Sequence, residues 1–206
     1  MSMHESAEDF VSAWHANTAR LEHSYDPGQE HDACGVGVVV ALDGKPSRAV
    51  VQAGIDALKA VWHRGAVDAD GKTGDGAGIH VEIPYAFFAD ALRRLGKDPG
   101  EARIAVGQVF MPKTDLSAQE RCREIVETEI LRFGYGIFCW RQVPIDVSVI
   151  GEKANATRPE IEQIMIENLL GTDEATFERD LYVIRRRIEK AAIAAQIAEL
   201  YLCSLS

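Results

Sequence analysis

The apolar positions of this chain recur with two different spacings, one typical of helices and one typical of strands. Apolar residues that return every three or four positions mark one face of a helix, and four stretches show this pattern. The first predicted helix ends at His63-Arg64-Gly65, and its inward positions are Val51, Ile55, Leu58 and Trp62. The second covers 85–95 and is begun by Pro84. The inward positions are Cys122, Ile125, Val126, Ile130 and Phe133 in the third helix and Phe177, Leu181, Ile184 and Ile188 in the fourth. Ser117 and Glu120 have the spacing of a capping box at the start of the third helix.

Short apolar runs predict the strands. They lie at 36–42, 79–83, 104–110, 136–143 and 197–205. The stretch 144–170 gives conflicting signals, because Thr157 and Glu160 form a second capping box whereas 145–150 reads as extended chain. Strands and helices alternate, but the connections also permit hairpins. The pattern alone therefore leaves open a parallel sheet or a layered α+β sandwich.

Composition and charge narrow the classes of protein that the chain can belong to. Its 206 residues, 47% of them hydrophobic, suit one sizeable domain or a piece of a larger protein. A net charge of −10 without a concentrated basic patch argues against nucleic acid or an anionic membrane as partner. No run approaches the roughly 18 apolar residues of a membrane span, and the N-terminus lacks the apolar centre of a secretory signal. We therefore expect a cytoplasmic protein.

Cys34 is the strongest candidate for chemistry. The four cysteines, Cys34, Cys122, Cys139 and Cys203, are scattered, with no C-x-x-C pair to suggest zinc, an iron–sulfur cluster or a disulfide framework, and we expect the last three to be inert core thiols. Cys34 instead joins a polar leader to Gly35 and an apolar run. If the leader were cleaved after Ala33, Cys34 would gain a free α-amine with a pKa of about 7.7–8.0, a built-in base for its own thiol.

A second candidate is the glycine-rich run 68–78, Asp-Ala-Asp-Gly-Lys-Thr-Gly-Asp-Gly-Ala-Gly. A phosphate loop is excluded because Ala66 stands where a glycine is required, and a calcium loop because Lys72 occupies a ligand position. The pair Gly35 and Gly37 is no dinucleotide fingerprint, since Val40 replaces the third glycine. A loop that lines a substrate site remains, because glycine lets the backbone approach a small polar ligand closely.

Together these motifs resemble a known family. The matching segments are Cys34-Gly35-Val36-Gly37, His63-Arg64-Gly65, Thr73-Gly74-Asp75-Gly76-Ala77-Gly78-Ile79, 106–112, 177–185 and 201–206. They are similar to the class II, N-terminal-nucleophile glutamine amidotransferase domain that begins glutamate synthase large subunits. The Cys-Gly and His-Arg-Gly elements are shared by several amidotransferases, whereas the Thr-Gly-Asp-Gly-Ala-Gly run points to glutamate synthases.

The resemblance implies a fold, a reaction and a site. It implies an α+β, four-layer αββα Ntn-hydrolase sandwich, with residues 1–33 as a removable leader and 34–206 as the N-terminal part of the amidotransferase domain. Cys34 would attack the side-chain amide of L-glutamine, release ammonia and form a thioester that water hydrolyses to glutamate. Arg64, Gly65, Thr73, Gly74, Asp75 and Gly76 would bind substrate or line the pocket, and no metal site is expected.

The resemblance also implies partners that lie outside these residues. Ammonia would pass to a downstream flavin domain that aminates 2-oxoglutarate, with FMN, a 3Fe-4S cluster and NADPH supplied through a small subunit. The family's His-Ser-Arg and Asn-Gly motifs do not occur in the chain. We therefore expect a domain that is incomplete at its C-terminus and inactive alone. Two alternatives stay open: an amidotransferase serving an amino sugar or a purine precursor, and a glutamine-binding module without turnover.

Overall fold

A four-stranded antiparallel sheet lies at the centre of the fold. The computed structural model describes residues 11–12, 15–16, 35–62, 65–100 and 103–206. Within them the strands are β1 (Ile104–Met111), β2 (Gly136–Gln142), β3 (Glu160–Glu167) and β4 (Tyr201–Leu205). Their spatial order is β2-β3-β1-β4, and every neighbouring pair is antiparallel. The sheet therefore confirms the mixed α and β class and excludes the parallel alternative for these strands.

Five helices accompany the sheet in the described part of the chain. They are α1 (Arg48–Ala60), α2 (Tyr85–Arg94), α3 (Leu116–Arg132), α4 (Glu152–Thr157) and α5 (Glu174–Ala194), with a 3₁₀ turn at Val147–Val149. All four helices predicted from apolar spacing are present, and the short α4 is an addition. None of the helices among the described residues is both long enough and apolar enough to span a bilayer.

The main core lies between one face of the sheet and helices α3 and α5. The predicted inward positions of α5, Phe177, Leu181, Ile184 and Ile188, are all fully buried. Those of α3 are buried or partly buried, with Cys122, Val126 and Ile130 fully enclosed. Each large apolar side chain buried in this way contributes roughly 1.5–3 kcal/mol. This layer therefore holds the sheet in place.

The opposite face of the sheet is covered only in part by described residues. Phe88 and Leu92 of α2 pack against one end, where Ile104 and Met165 are buried. Towards the other end, Gln163 donates a hydrogen bond to Gln108 at 3.0 Å. Tyr201 stands beside Phe110 there, and 52% of it is exposed.

Two predicted strands do not form among the described residues. Residues 36–42 and 79–83 form no strand, and Val36 and Val38 are 91% and 83% exposed. A strand requires a neighbour that takes up its backbone hydrogen bonds and covers its apolar side chains. Neither segment pairs with a strand within the described residues. The described residues leave helix α1 partly uncovered too, since its predicted inward residues are only half-buried and Trp62 is 77% exposed.

Both predicted capping boxes are also wrong. The N-cap of α3 is Asp115, whose Oδ1 accepts a hydrogen bond from the Ala118 amide at 2.9 Å. Asp115 lies one turn ahead of Ala118 and offers its carboxylate to this unpaired amide, so Ser117 falls inside the helix. Thr157 ends α4 instead of starting a helix, and Glu160 begins β3. The supposedly extended stretch 145–150 contains the 3₁₀ turn.

Candidate functional site

The glycine-rich run forms a closed loop that follows α1. Val67 and Gly74 form an isolated antiparallel bridge, and the Asp68 amide donates to the Thr73 carbonyl at 2.7 Å. The Ala66 amide donates to Oδ2 of Asp75 at 2.8 Å. The neck of the loop therefore brings both ends of the run together, although each end is exposed to solvent.

Glycine is required at two points of this loop. Gly71 and Gly76 have φ angles of 69° and 88°, in the left-handed region that side chains rarely adopt. Gly65 lies at the entrance, where its amide donates to the Trp62 carbonyl at 3.1 Å. The predicted pocket residues Gly65, Thr73, Gly74, Asp75 and Gly76 therefore belong to one structural unit.

Asp70 organises the tip of the loop. Its Oδ1 accepts from the amides of Lys72 and Thr73 at 2.9 and 2.7 Å, and its Oδ2 accepts from the Thr73 hydroxyl at 2.6 Å. These bonds, the one from the Thr73 hydroxyl first, hold the pKa of Asp70 far below its usual range. The carboxylate therefore stays ionised near neutrality and fixes the Thr73 side chain.

The loop docks onto the start of α4. Nζ of Lys153 donates to both carboxylate oxygens of Asp68 at 2.8 Å, and the Ala154 amide donates to Oγ1 of Thr73 at 3.4 Å. Gly151, immediately before α4, is buried against Thr73 and Asp70. Sequence reasoning missed this contact, because it joins two segments far apart in the chain and lies in the stretch whose signals conflicted.

Cys34 and Arg64, the predicted nucleophile and its neighbouring arginine, lie outside the described residues. Their immediate neighbours are described. A Cβ placed on Gly35 would lie 3.6 Å from Cγ2 of Val61, so residue 35 runs beside the end of α1. Gly65 follows that same helix end. Two motifs that are distant in sequence therefore have neighbours on one side of the molecule.

The remaining cysteines differ in their surroundings. Cys122 is fully buried in the core, and burial raises the pKa of its thiol to about 11. Burial also raises the pKa of Cys139, which is partly buried near α2. Cys203 on β4 is exposed, so the prediction of a core thiol is wrong at that position. The alternation of side chains along a strand turns Cys203 away from the helix-covered face that holds Leu202.

The described residues contain no group of three or more His, Cys, Asp or Glu side chains that could hold a metal ion. The acidic residues of the glycine-rich loop are used differently. Asp68 pairs with Lys153, whereas Asp70 and Asp75 accept hydrogen bonds from backbone amides. These contacts give the loop a defined shape without a ligand.

Comparison with known families places the chain. The model of the family described as class-II glutamine amidotransferases matches residues 34–206. The chain belongs to this family. The match begins at Cys34 and covers the whole sheet and the glycine-rich loop, so the amidotransferase family accounts for nearly all of the described structure.

Individual relatives of this chain carry more specific names. It is 62% identical over 201 residues to "Glutamate synthase [NADPH] large chain" of Azospirillum brasilense, an alignment of 97% of this chain and 13% of the relative. It is 39% identical over 183 residues to the chloroplastic ferredoxin-dependent glutamate synthase of Spinacia oleracea, covering 86% and 11%. Identity to the large chain of Bacillus subtilis is 35% over 183 residues, covering 88% and 12%. The chain thus spans about an eighth of the length of these relatives.

Proposed function

We propose that this chain carries the glutaminase part of a glutamate synthase large chain. The observation that carries the proposal is the 62% identity to such a large chain across 97% of this sequence, combined with a family match that starts at Cys34. The relatives described above all bear the name glutamate synthase. L-Glutamine is accordingly the substrate that we propose.

Cys34 supplies the nucleophile in this proposal. After removal of residues 1–33, its Sγ attacks the side-chain amide carbon of glutamine, while the thiol proton passes through the free α-amine to the departing nitrogen. The C–N bond breaks, ammonia leaves, and a γ-glutamyl thioester remains. Water then hydrolyses the thioester to glutamate. The α-amine suits this role, because its pKa of about 7.7–8.0 lies close to the operating pH.

The glycine-rich loop forms one wall of the proposed glutamine site. Gly65, Thr73, Gly74, Asp75 and Gly76 would supply backbone groups at short range, and Arg64 is proposed to bind the substrate beside them. This assignment is supported by the closed shape of the loop and by the proximity of Gly35 to Val61, at the end of the helix that precedes Gly65. Close backbone approach favours recognition of a small polar ligand.

The finer fold that we propose is the four-layer αββα sandwich. The partly covered sheet face supports it, as do the exposed apolar runs 36–42 and 79–83 and the uncovered α1. In the longer protein, these runs would join a second sheet that packs on the first, with α1 outside it. Two sheets packed face to face would bury the exposed valines.

The rest of the large chain is proposed to use the ammonia. It would aminate 2-oxoglutarate in a flavin domain, with FMN, a 3Fe-4S cluster and NADPH delivered through a small subunit. Two of the relatives reported above have NADPH in their names, whereas the Spinacia oleracea relative names ferredoxin and the chloroplast instead. A cytoplasmic location completes the proposal.

The decisive experiment replaces Cys34 in the full-length protein. Cys34→Ser and Cys34→Ala should abolish synthesis from glutamine while synthesis from added ammonium continues, and Lys190→Met, at an exposed position on α5, should change neither. N-terminal sequencing of the wild-type protein should begin at Cys34. A diazoketone analogue of glutamine should label Cys34 in peptide mapping. Retained use of glutamine by Cys34→Ala would overturn the proposal.

A further inference from the structure

We infer that Gly151 is a positioning residue for the glycine-rich loop. Because position 151 carries no side chain, residues 70–73 can close onto the start of α4, and this contact determines where Thr73, Gly74, Asp75 and Gly76 stand. The inference rests on the proposed function, since the position of the loop affects turnover only if the loop lines the glutamine site.

The steric observation is direct. A Cβ on Gly151 would lie 2.6 Å from the backbone nitrogen of Thr73, and closer still to Oγ1 of Thr73 and Oδ2 of Asp70. A backbone atom cannot rotate away as a long side chain does. An alanine at position 151 would therefore push either the loop or α4 out of place.

The backbone conformation of Gly151 does not itself require glycine. Its φ and ψ angles of −71° and 163° are ordinary extended values that any residue adopts. Gly151 is nevertheless buried, and its carbonyl accepts the first helical hydrogen bond of α4, from Asn155 at 2.9 Å. Close approach of the loop is thus the physical reason for a glycine here.

The next residues of α4 supply a second attachment. Lys153 binds Asp68 at one side of the loop, and the Ala154 amide binds Thr73 at the other. The Lys153 and Asp68 side chains are 66% and 33% exposed, so their ion pair contributes little to the stability of the fold. Its main effect is to orient the loop relative to α4. Gly151 and Lys153 therefore fix the loop at two separate points.

A displacement at Thr73 should reach the proposed pocket residues. Gly74 follows it directly and is bridged to Val67, while Asp75 is tied to Ala66. This closed neck leaves the loop little freedom to absorb a local push. Misplacement by about 1 Å can reduce turnover about 100-fold, so Gly151→Ala should lower kcat/KM for glutamine by about 10- to 100-fold.

The test uses the full-length protein with two matched controls. Among the described residues, the methyl group of Gly54→Ala has nothing within 4 Å, and that of Gly136→Ala would lie 2.8 Å from Cδ1 of Leu169, away from the loop. We expect Gly151→Ala to raise KM for glutamine with synthesis from ammonium unchanged. Gly54→Ala should behave as wild type, and Gly136→Ala should lower the melting temperature without raising KM.

Lys153 provides an independent test if Gly151→Ala fails to fold. Lys153→Met should raise KM for glutamine a few-fold with kcat nearly unchanged, and Lys153→Arg should keep the wild-type value. The charge exchange of Asp68→Lys with Lys153→Asp should recover most of the loss. Lys190→Met, at an exposed position on α5, serves as the control.

Hydrogen–deuterium exchange separates the two proposals. Peptides spanning 66–76 should exchange faster in Gly151→Ala and Lys153→Met than in wild type, whether or not the protein uses glutamine. If exchange and KM are both unchanged in these variants while Cys34→Ala is inactive with glutamine, the positioning role is wrong and the proposed function stands. If Cys34→Ala still uses glutamine, the proposed function fails. The exchange rates of peptides spanning 66–76 then test by themselves whether Gly151 and Lys153 hold the loop against α4.

Discussion

Arg123 and Glu162 form a bidentate ion pair that links helix α3 to strand β3. Nε of Arg123 donates to Oε2 of Glu162 at 2.9 Å, and Nη2 donates to Oε1 at 2.6 Å. The two side chains are only 21% and 11% exposed. The hydrogen bonds to the Glu162 carboxylate raise the pKa of Arg123, so the guanidinium is charged throughout the accessible pH range.

Removing one member of this pair should destabilise the domain. Arg123→Met leaves the Glu162 carboxylate nearly buried without its partner, which should cost roughly 2–4 kcal/mol, slightly below the range for fully buried pairs. Urea denaturation followed by circular dichroism measures the change. The double variant Arg123→Met with Glu162→Leu should lose less than the single one, and Arg94→Met, at an exposed pair with Asp90, should change stability by less than about 1 kcal/mol. Equal losses in all three would contradict the prediction.

The N-cap of α3 can be tested by comparing Asp115 with Ser117. Asp115→Ala removes the acceptor of the Ala118 amide and should cost about 1 kcal/mol. Ser117→Ala should change the free energy of unfolding by only a few tenths of a kcal/mol, because Asp115 provides the cap. Thermal or urea unfolding of both variants distinguishes them. A larger loss for Ser117→Ala would restore the capping box predicted from the sequence.

The described cysteines should react with alkylating reagents in a fixed order. Cys203 is exposed and should be modified first by iodoacetamide, whereas Cys122 should stay unmodified in the folded protein. Mass spectrometry of the peptides, with a urea-unfolded sample as control, measures both rates. Rapid labelling of Cys122 under native conditions would show that the core between α3 and the sheet opens readily.

Because Cys122 is buried, we also expect the domain to lose stability in alkaline solution. Burial raises its pKa from 9.0 to about 11, so between these values the unfolded chain releases a proton that the folded chain retains. The stabilising contribution is therefore complete below about pH 9 and falls as the pH rises towards 11. Urea midpoints measured across this interval should fall less steeply in Cys122→Ala than in wild type. Identical slopes would contradict the assignment.

Gly107 in the centre of β1 should not tolerate a side chain. A Cβ there would lie 2.7 Å from Cγ2 of Ile164 and 2.8 Å from Cδ1 of Leu205, on the two neighbouring strands. Gly107→Ala should therefore cost about 1–3 kcal/mol through overpacking. Urea denaturation measures the loss, and Gly54→Ala on α1, where the added methyl group meets no described residue within 4 Å, should be neutral or stabilising. Unchanged stability of Gly107→Ala would mean that β1 can shift within the sheet.

The helices could be predicted from the sequence because their signal is local. Phe177, Leu181, Ile184 and Ile188 return to one face at every turn, and that face is the buried one. Strand β3 was missed because its signal is not local. Glu162 faces the helix-covered side of the sheet, where only its contact with Arg123 makes a carboxylate acceptable. No pattern within residues 160–167 reveals that partner.

Only part of the candidate site could likewise be predicted from the sequence. The glycine-rich run and Cys34 could be singled out from the sequence, since turn-forming glycines and an isolated thiol are recognisable from residue type and order. The contact of the loop with Gly151 and Lys153 could not, because it depends on two segments far apart in the chain meeting in space.

The sequence by itself determined the helical faces, most strands of the sheet and the motifs that identify the family, because each of these depends on neighbours along the chain. Only the tertiary structure decided which strands pair, that 36–42 and 79–83 lack a partner among the described residues, and what holds the loop in place. Strand pairing and loop docking require hydrogen bonds and close packing between distant segments, and those interactions exist only after the chain has folded.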